Sequence, residues 1–487
     1  MICLISYVRI VHQLISYSNN VGDKKLKNFK KILKEKVALL ERVYPFASFF
    51  LQSKSSMSAT SSTRNDSLNF DIKSTGGVVR VFDGVSFHER AFSSVSEKEI
   101  EEATKFLLQL SSKIEIIDNT LISPGEKTDK EFSHKWKIDP MEVDEQTLLN
   151  KARENREYVE GKSEKIVEAS CRIGFLITQE LYINRNKTLF QELRRFDNIF
   201  SIVLQENGKS VDMFGGHSRI GGYEHAQLEE STVNNSVKDG EDLLLAKRID
   251  PGSYDCILSP SMSGMLAHEA FGHGTETDMF LKKRAKGVEF IGKRVGAECV
   301  NMWDSPDMND EPNASGSYFF DHEGELASKT QIIKEGVLVS GITDLYSSSK
   351  LGIKRSANGR SESYANKVYA RMTNTYFEGG DSTLDEMIAS IKHGFFIDHA
   401  TNGMEDPKGW GMQLEALYAR EIIDGKFTNN IYSPVILTGY VPDVLNSISA
   451  MSKGHEIHSM GYCGKGHKEW VKVTDGGPYI KLKANLA

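Results

Sequence analysis

Cysteines and long apolar runs are both scarce in this chain. Its 487 residues include five cysteines, an odd number spread from Cys3 to Cys463, which is not the pattern of a disulfide scaffold. No apolar run reaches the ~18 residues of a membrane-spanning helix. The apolar start, interrupted by Arg9 and His12, has neither the preceding basic region nor the following cleavage site of a signal peptide. We therefore expect a soluble cytoplasmic protein in which residues 1–22 form an N-terminal extension.

A basic stripe is missing as well. The formal net charge of -7 argues against a general nucleic-acid binder, which usually shows a basic face. The hydrophobic content of 39% and charged content of 26% are ordinary for globular proteins. A chain of this length can bury a large core and should divide into at least two domains.

The periodicity of the first half predicts a sheet with helices. Helical spacing over Lys24–Tyr44 and Ser96–Leu110 alternates with strand-like segments bounded by turn residues. The polar segment Pro124–Asp139 carries no pattern, which indicates a surface loop. Further helices are predicted over 142–158 and 236–247, and strands over 46–53, 68–73, 78–82, 173–183, 198–205 and 210–216.

A hinge-like Pro251-Gly252-Ser253 precedes a second half in which strands dominate. The predicted strands include Tyr254–Leu258 and Glu289–Cys299. We therefore predict a mixed α+β fold: an N-terminal α/β domain over 23–250, with an antiparallel sheet and helices, and a mostly-β C-terminal domain over 251–487. The helix that begins at Ser259-Pro260, with serine as N-cap and proline at the first helical position, carries the most informative motif.

That motif is His268-Glu269-x-x-x-His273. Two histidines and a carboxylate are what a zinc hydrolase needs, because neutral imidazoles hold the metal and a carboxylate can act as the base. The common zinc-protease helix has its histidines at i and i+4, whereas here they are at i and i+5, about 140° apart on a regular helix. Either a π-bulge or a helix that stops at Gly272 would bring both rings to one ion. Two ordinary buried histidines remain the alternative.

A catalytic zinc usually has three protein ligands, so a third is needed. Cys463 lies between glycines in Gly461–Gly466, where the backbone can approach another group closely. Glu276 and Asp278, just after His273, are competing candidates. The residues themselves leave the choice open.

Two segments rich in hydrogen-bonding side chains, Asn358–Tyr364 and Arg371–Tyr376, could hold an extended peptide. They could equally be polar loops that satisfy one another. The candidate substrate-binding residues are Arg360, Tyr364, Arg371 and Asn374.

Five ordered segments together resemble the TldD/PmbA family, also called the modulator of DNA gyrase family. They are LAHEAFGHGTETD at Leu266–Asp278, the run at Pro312–Thr330, NGRSESY, RMTNTY and GYCGKG. The resemblance spans roughly Ala47 to Lys483. Because the chain has both motif histidines and the glutamate, it is similar to the catalytic TldD-type members rather than to their PmbA/TldE-type partners.

The resemblance implies a zinc metallopeptidase. It implies Zn²⁺ ligation by His268, His273 and Cys463, activation of water by Glu269, and cleavage of unfolded peptides inside a chamber formed with a partner subunit. That partner would be a PmbA/TldE-type chain or a second copy. The chain departs from the family pattern at Gly409–Leu414 and Gly476–Ile480, which leaves the substrate preference and the identity of the partner open.

Two other classes of function compete with a peptidase. In the first, the chain is a non-catalytic peptide-binding or modulator subunit with an idle metal motif, which metal analysis would identify. In the second, it binds DNA or gyrase directly, which the acidic net charge disfavours.

Overall fold

The computed structural model describes residues 26–119, 121–458, 461–466 and 469–487. The predicted extension over 1–22 lies outside these ranges. Within them, none of the helices has the length and apolar character needed to cross a membrane.

The N-terminal half is built on one sheet with the strand order β3-β2-β1-β5-β6-β4, in which β7 also pairs with β6. All pairs are antiparallel except β4 with β6. The helices α1 (Lys30–Leu40), α2 (Glu97–Leu110), α3 (Glu145–Glu160) and α4 (Glu230–Leu243) accompany the sheet. The strands are β1 (Phe46–Ser62), β2 (Asp66–Phe82), β3 (Phe87–Phe92), β4 (Thr128–Ser133), β5 (Ile166–Asn184), β6 (Lys187–Glu206) and β7 (Lys209–Ile220).

Local signals in the sequence explain where these elements begin and end. The side chain of Ser96 accepts a hydrogen bond from the backbone N–H of Glu99, which caps α2. At the β5–β6 turn, Asn184 Oδ1 accepts from the backbone N–H of Lys187 at 2.7 Å. Asn207 and Gly208 both have positive φ, 51° and 77°, as a tight β6–β7 hairpin requires.

The C-terminal half is mostly β, which confirms the predicted mixed α+β class. A six-stranded sheet has the order β11-β10-β9-β14-β23-β20, and a seven-stranded sheet has the order β15-β8-β24-β18-β16-β17 with β19 on β24. The second sheet closes on itself, because β15 also pairs with β16. The helices are α5 (Pro260–Ala267), α6 (Thr277–Leu281), α7 (Leu345–Leu351), α8 (Leu384–Ala389) and α9 (Val441–Asn446). The strands are β8 (Gly252–Leu258), β9 (Met302–Asp304), β10 (Thr330–Lys334), β11 (Val337–Leu338), β12 (Gly359–Arg360), β13 (Tyr369–Ala370), β14 (Asn374–Phe377), β15 (His393–Glu405), β16 (Gly411–Ile423), β17 (Lys426–Tyr432), β18 (Val435–Tyr440), β19 (Ala450–Met451), β20 (Glu456–His458), β21 (Tyr462–Cys463), β22 (Val471–Lys472), β23 (Thr474–Gly477) and β24 (Ile480–Leu486).

Helix α5 lies in the core of this half. Its small residues let another backbone approach, since a Cβ added to Gly264 would lie 2.6 Å from the backbone nitrogen of Gly476 on β23. Met262, Leu266 and Ala267 are fully buried in the same core. The helix is therefore held on several sides, and the residues that follow it have little freedom to move.

Two predictions for individual elements are wrong. The polar segment 124–139 contains β4, an edge strand whose side chains are mostly exposed, so it needs no apolar alternation. The segment 289–299 is not a strand. Residues 289–290 end a 3₁₀ helix, and the rest is a loop in which the buried Val295 and Gly296 both donate their N–H groups to Gly336 O. The domain boundary near residue 250 stays a prediction.

Candidate metal centre

The motif helix deforms where its histidine spacing requires it. After α5, capped by Ser259, residues His268–Gly272 form a π-helical turn, and the N–H of His273 bonds to His268 O. A π turn adds one residue to each turn of helix, so positions i and i+5 come to the same face. This is the first of the two geometries expected from the spacing.

Three potential ligands meet at this turn. Cys463 Sγ lies 3.3 Å from His268 Nε2 and 3.3 Å from His273 Nε2. The nearest ligand atoms of the three side chains all lie within 4.8 Å of one another. The short hairpin of β21 and β22 carries Cys463 to the motif. Atoms at this spacing can share one ion.

Burial and charge shift the pKa values of these side chains. Burial by itself raises the pKa of the Cys463 thiol, but the charges of His273 and His268 outweigh it and hold that pKa well below its usual range. Burial lowers the pKa of His268, yet the Cys463 thiolate outweighs it and raises that pKa to about 9. The site thus holds a thiolate, the form that binds metals, balanced by ring protons that a cation would displace.

The donor set fits a metal that accepts nitrogen and sulfur ligands. The ring nitrogen of His268 that faces Cys463 is Nε2, whereas Nδ1 is buried and has no hydrogen-bond partner in the structure. The assignment of these three residues as ligands stays a prediction.

Glu276, the competing third ligand, lies on the other side of His273. Its Oε2 is 3.5 Å from His273 Nδ1 and 2.9 Å from Lys465 Nζ, and its Oε1 is 3.3 Å from Arg371 Nε. Burial raises the pKa of Glu276, but Lys465 and His273 outweigh it, so the group is ionised. This geometry favours Glu276 as the carboxylate that orients a ligating histidine, and Cys463 as the ligand. Asp278 is engaged by Lys465 at 2.7 Å and Lys282 at 2.8 Å.

Glu269, the candidate base, faces strand β15. A Cβ added to Gly403 would lie 2.5 Å from Glu269 Cγ, so glycine is needed there to make room for the carboxylate side chain. Glu269, His268, His273 and Cys463 line the same cavity.

The four candidate substrate-binding residues do not line that cavity. Arg360 donates to Met372 O and, at 2.6 Å, to Lys472 O, while Asn374 Nδ2 donates to Ser305 O at 2.6 Å. The Tyr364 ring lies against Gly76 of the N-terminal sheet. Arg371 alone reaches the metal centre, where it donates to Cys463 Sγ at 3.1 Å. These side chains contact other groups of the protein. Their direct contact with substrate stays a prediction, and their positions do not support it.

The cavity is large and lies between the two halves of the chain. Its volume is about 2180 Å³, above the ~300–1,000 Å³ of ordinary small-molecule sites. Strand β7 and helix α4 line one wall, and the metal centre lies on the other. Five of its lining residues are large apolar side chains exposed by more than a third: Phe214, Met404, Phe427, Tyr462 and Trp470.

Residues of β15 and of the loop that follows it were missed by the sequence analysis. Gly403 and Glu405 reach the motif only because β15 pairs with β8, the strand that leads into the motif helix, and no local pattern marks that pairing. Trp410 offered a weak signal, as a tryptophan between two glycines.

Comparisons with known proteins identify relatives of this chain. Residues 251–485 match a family model described as the PmbA/TldA metallopeptidase C-terminal domain. A metalloprotease from Methanocaldococcus jannaschii is 29% identical over 360 residues, which cover 72% of this chain and 76% of that protein. A metalloprotease TldD homolog from Buchnera aphidicola is 31% identical over 330 residues, covering 66% of this chain and 67% of that protein.

The fold is also shared with a solved structure. TldE from Thermococcus kodakarensis superposes with a TM-score of 0.75 at 15% identity, covering 93% of this chain and 98% of that one. At that identity the likeness shows the fold alone. The family model and the relatives, together with the shared fold, confirm the resemblance seen in the five motifs: this chain belongs to the PmbA/TldD family of metallopeptidases.

Proposed function

We propose that this protein is a zinc-dependent peptidase that cleaves extended or unfolded peptides. The observation that carries the proposal is the convergence of His268, His273 and Cys463 on a π turn at the wall of a large cavity, with Glu269 beside them. Zinc is proposed because thiolates and imidazoles are among its usual ligands, and three protein ligands leave a fourth position open. When bound, zinc would polarise the scissile carbonyl and lower the pKa of water.

The protein's own residues would orient the site and move the proton. Glu269 would accept a proton from the attacking water and pass it to the leaving amine. Because Gly403 has no side chain, it leaves room for the side chain of Glu269. Arg371 holds the Cys463 sulfur through a 3.1 Å hydrogen bond, and Glu276 orients the His273 ring from the opposite side.

The cavity supports a peptide substrate rather than a small molecule. Its volume exceeds ordinary small-molecule sites, and its exposed apolar side chains offer contacts that depend little on sequence. The metal centre lies at the wall of this cavity, where an unfolded segment can present its backbone. We propose unfolded segments as the substrate class for that reason.

A dimer and a cytoplasmic location are further parts of the proposal. The partner would be a PmbA/TldE-type subunit or a second copy of this chain, and the shared fold with a TldE structure is consistent with similar subunits assembling. The four described cysteines, Cys171, Cys256, Cys299 and Cys463, are all free thiols, as a reducing compartment allows.

The test is Glu269→Gln, with exposed Glu298→Gln as the matched control. We expect Glu269→Gln to keep stoichiometric zinc by elemental analysis and to lose about 10²–10⁴-fold in peptide cleavage, the usual contribution of a general base. The control should keep both. Full activity in Glu269→Gln would remove that residue from the mechanism. A protein without metal, inactive after zinc is added and with any TldE-type partner present, would favour the non-catalytic modulator instead.

A further inference from the structure

Beside Glu269, three buried polar atoms lack a hydrogen-bond partner in the structure. They are both carboxylate oxygens of Glu405 and the indole nitrogen of Trp410. Buried polar atoms are normally satisfied, because leaving them unpaired costs their full hydration. Three such atoms in one place, next to the proposed base, indicate that a ligand supplies the missing partners.

Two of the three atoms lie close to a glycine. A Cβ added to Gly274 would lie 3.3 Å from Glu405 Oε1 and 3.8 Å from Trp410 Nε1. Glu405 lines the same cavity as Glu269 and His273, and the buried Gly274 and Trp410 lie next to it. Any side chain at position 274 would partly fill the space between Gly274 and these two atoms.

A left-handed backbone conformation and ring packing fix the position of Trp410. Its φ of 62° is left-handed, a conformation that non-glycine residues adopt at a cost. The buried ring packs between Phe271 and Phe290, with centroid distances of 5.3 and 4.5 Å.

The carboxyl group at this space fits a ligand that carries positive charge and donates hydrogen bonds. Burial raises the pKa of Glu405 to about 9, with the charge of His273 offsetting part of that rise and the acidic neighbours Glu269 and Asp406 adding to it, so a bound cation would shift the carboxyl from its protonated to its ionised form. The nearby Glu276 is already paired with Lys465 and Arg371. An ammonium group would supply both the positive charge and the hydrogen-bond donors that the Glu405 oxygens lack.

We propose that Glu405, Trp410 and Gly274 form a subsite that accepts an ammonium group of the peptide, either its N-terminal amine or a lysine side chain. The proposal rests on the peptidase function above. The subsite would then determine where a peptide lies relative to Glu269.

The test measures equilibrium binding of fluorescent peptides to the full-length Glu269→Gln variant, which should not hydrolyse them. The peptides share one extended Ala/Ser sequence. They carry a free N-terminus, an acetylated N-terminus, or an acetylated N-terminus with lysine, acetyl-lysine or glutamine at each internal position in turn. We expect about a tenfold or greater preference for one ammonium-bearing peptide over its acetylated counterpart, as for a charged hydrogen bond.

Variants decide whether Glu405 causes that preference. Adding Glu405→Gln should bring the ratio close to one, and adding Gly274→Ala, which fills the space and leaves Glu405 in place, should do the same with metal content unchanged. The matched control, adding Glu298→Gln, should leave the ratio as it was. A preference for the free N-terminus identifies the α-amine, and a preference for one lysine position identifies the side chain.

Equal binding of all peptides, tighter binding of glutamine than lysine, or a preference that survives Glu405→Gln would each overturn the subsite. Cleavage by the parent protein separates this result from the proposed function. A parent that cleaves peptides with no ammonium preference contradicts the subsite alone. A Glu405-dependent preference in a protein that never cleaves, even with zinc and a partner present, contradicts the peptidase function alone.

Discussion

The chain buries charged side chains in two clusters. The clusters have similar compositions but differ in whether protein groups satisfy the hydrogen bonds of the carboxylates in and beside them. The metal-site cluster contains His268, His273, Cys463, Glu276, Arg371 and Lys465. The bracing cluster joins the N-terminal sheet to the C-terminal half and contains Arg80, Glu180, Asp321, His322, Glu323 and Arg355. Each holds a histidine, a carboxylate and an arginine in close contact.

In the bracing cluster, protein groups satisfy the carboxylate oxygens. Glu180 accepts from Gln52 and Gln191, Glu323 accepts from Arg80 and the backbone of Leu345, and Asp321 accepts from three backbone N–H groups. Such matching joins parts of the chain and leaves these carboxylates no capacity for a ligand.

In the metal-site cluster, the rings of His268 and His273 directly contact the sulfur of Cys463, and all three groups can donate a lone pair to a metal. Close by, the oxygens of Glu405 and the nitrogen of Trp410 have no partner. Burial and charge therefore do not by themselves mark a functional site. Arg355 Nε in the bracing cluster also has no hydrogen-bond partner, so the feature that separates the two clusters is the pair of unmatched carboxylate oxygens on Glu405.

Cys463→Ser should weaken zinc binding more than ~100-fold, beyond the effect usual for an outer-shell residue, because a thiolate ligand is lost. Elemental analysis after dialysis against a competing chelator measures this. Exposed Cys299→Ser is the control and should bind zinc as the parent does. If Cys463→Ser binds zinc as tightly as the parent, the thiol is not a ligand and Glu276 becomes the better candidate.

Arg80→Ala should destabilise the fold by about 3–5 kcal/mol, since it leaves the Glu323 carboxylate buried without its 2.7 Å partner. Urea unfolding measures the loss. Arg64→Ala, which breaks an exposed pair with Glu168, should cost less than about 1 kcal/mol. Folded Arg80→Ala should still bind zinc, and a selective loss of zinc would show that the two clusters are not independent.

Glu276→Gln should lower zinc affinity about 10–100-fold without removing a ligand, because Glu276 orients the His273 ring. A chelator competition assay gives the ratio to the parent. Asp278→Asn is a matched control, as Asp278 also contacts Lys465 but is not paired with His273. Equal losses in both variants would point to Lys465, and not to the His273 contact, as the cause.

Glu180→Gln should reduce the sensitivity of stability to acid. Burial raises the pKa of Glu180, but His322 and the hydrogen bonds from Gln52 and Gln191 outweigh it and bring that pKa to about 2. A carboxyl with a depressed pKa stabilises the fold above its unfolded value near 4.5, and this contribution is lost as pH falls through about 2. Urea midpoints of zinc-free samples at pH 6 and pH 3 should therefore differ less in the variant than in the parent. An unchanged difference would contradict the assignment of Glu180.

The amino-acid sequence by itself determined the fold class, several turns and helix starts, and the need for a distorted helix at the motif. Alternating and helical periodicities are local, so the caps at Ser96 and Ser259 and the hairpin at Asn207-Gly208 could be predicted. The i+5 histidine spacing also led to the π turn, because a straight helix cannot bring both rings to one point.

Only the tertiary structure decided which distant residues meet the motif. Cys463 reaches it on a separate hairpin, and Gly403 and Glu405 reach it through the parallel pairing of β15 with β8. The polar segments around Arg360 and Asn374 looked available for substrate, yet their side chains bond to backbone carbonyls of the core. The type of a side chain shows which groups it can bind. Long-range packing determines whether another group of the protein already occupies that side chain.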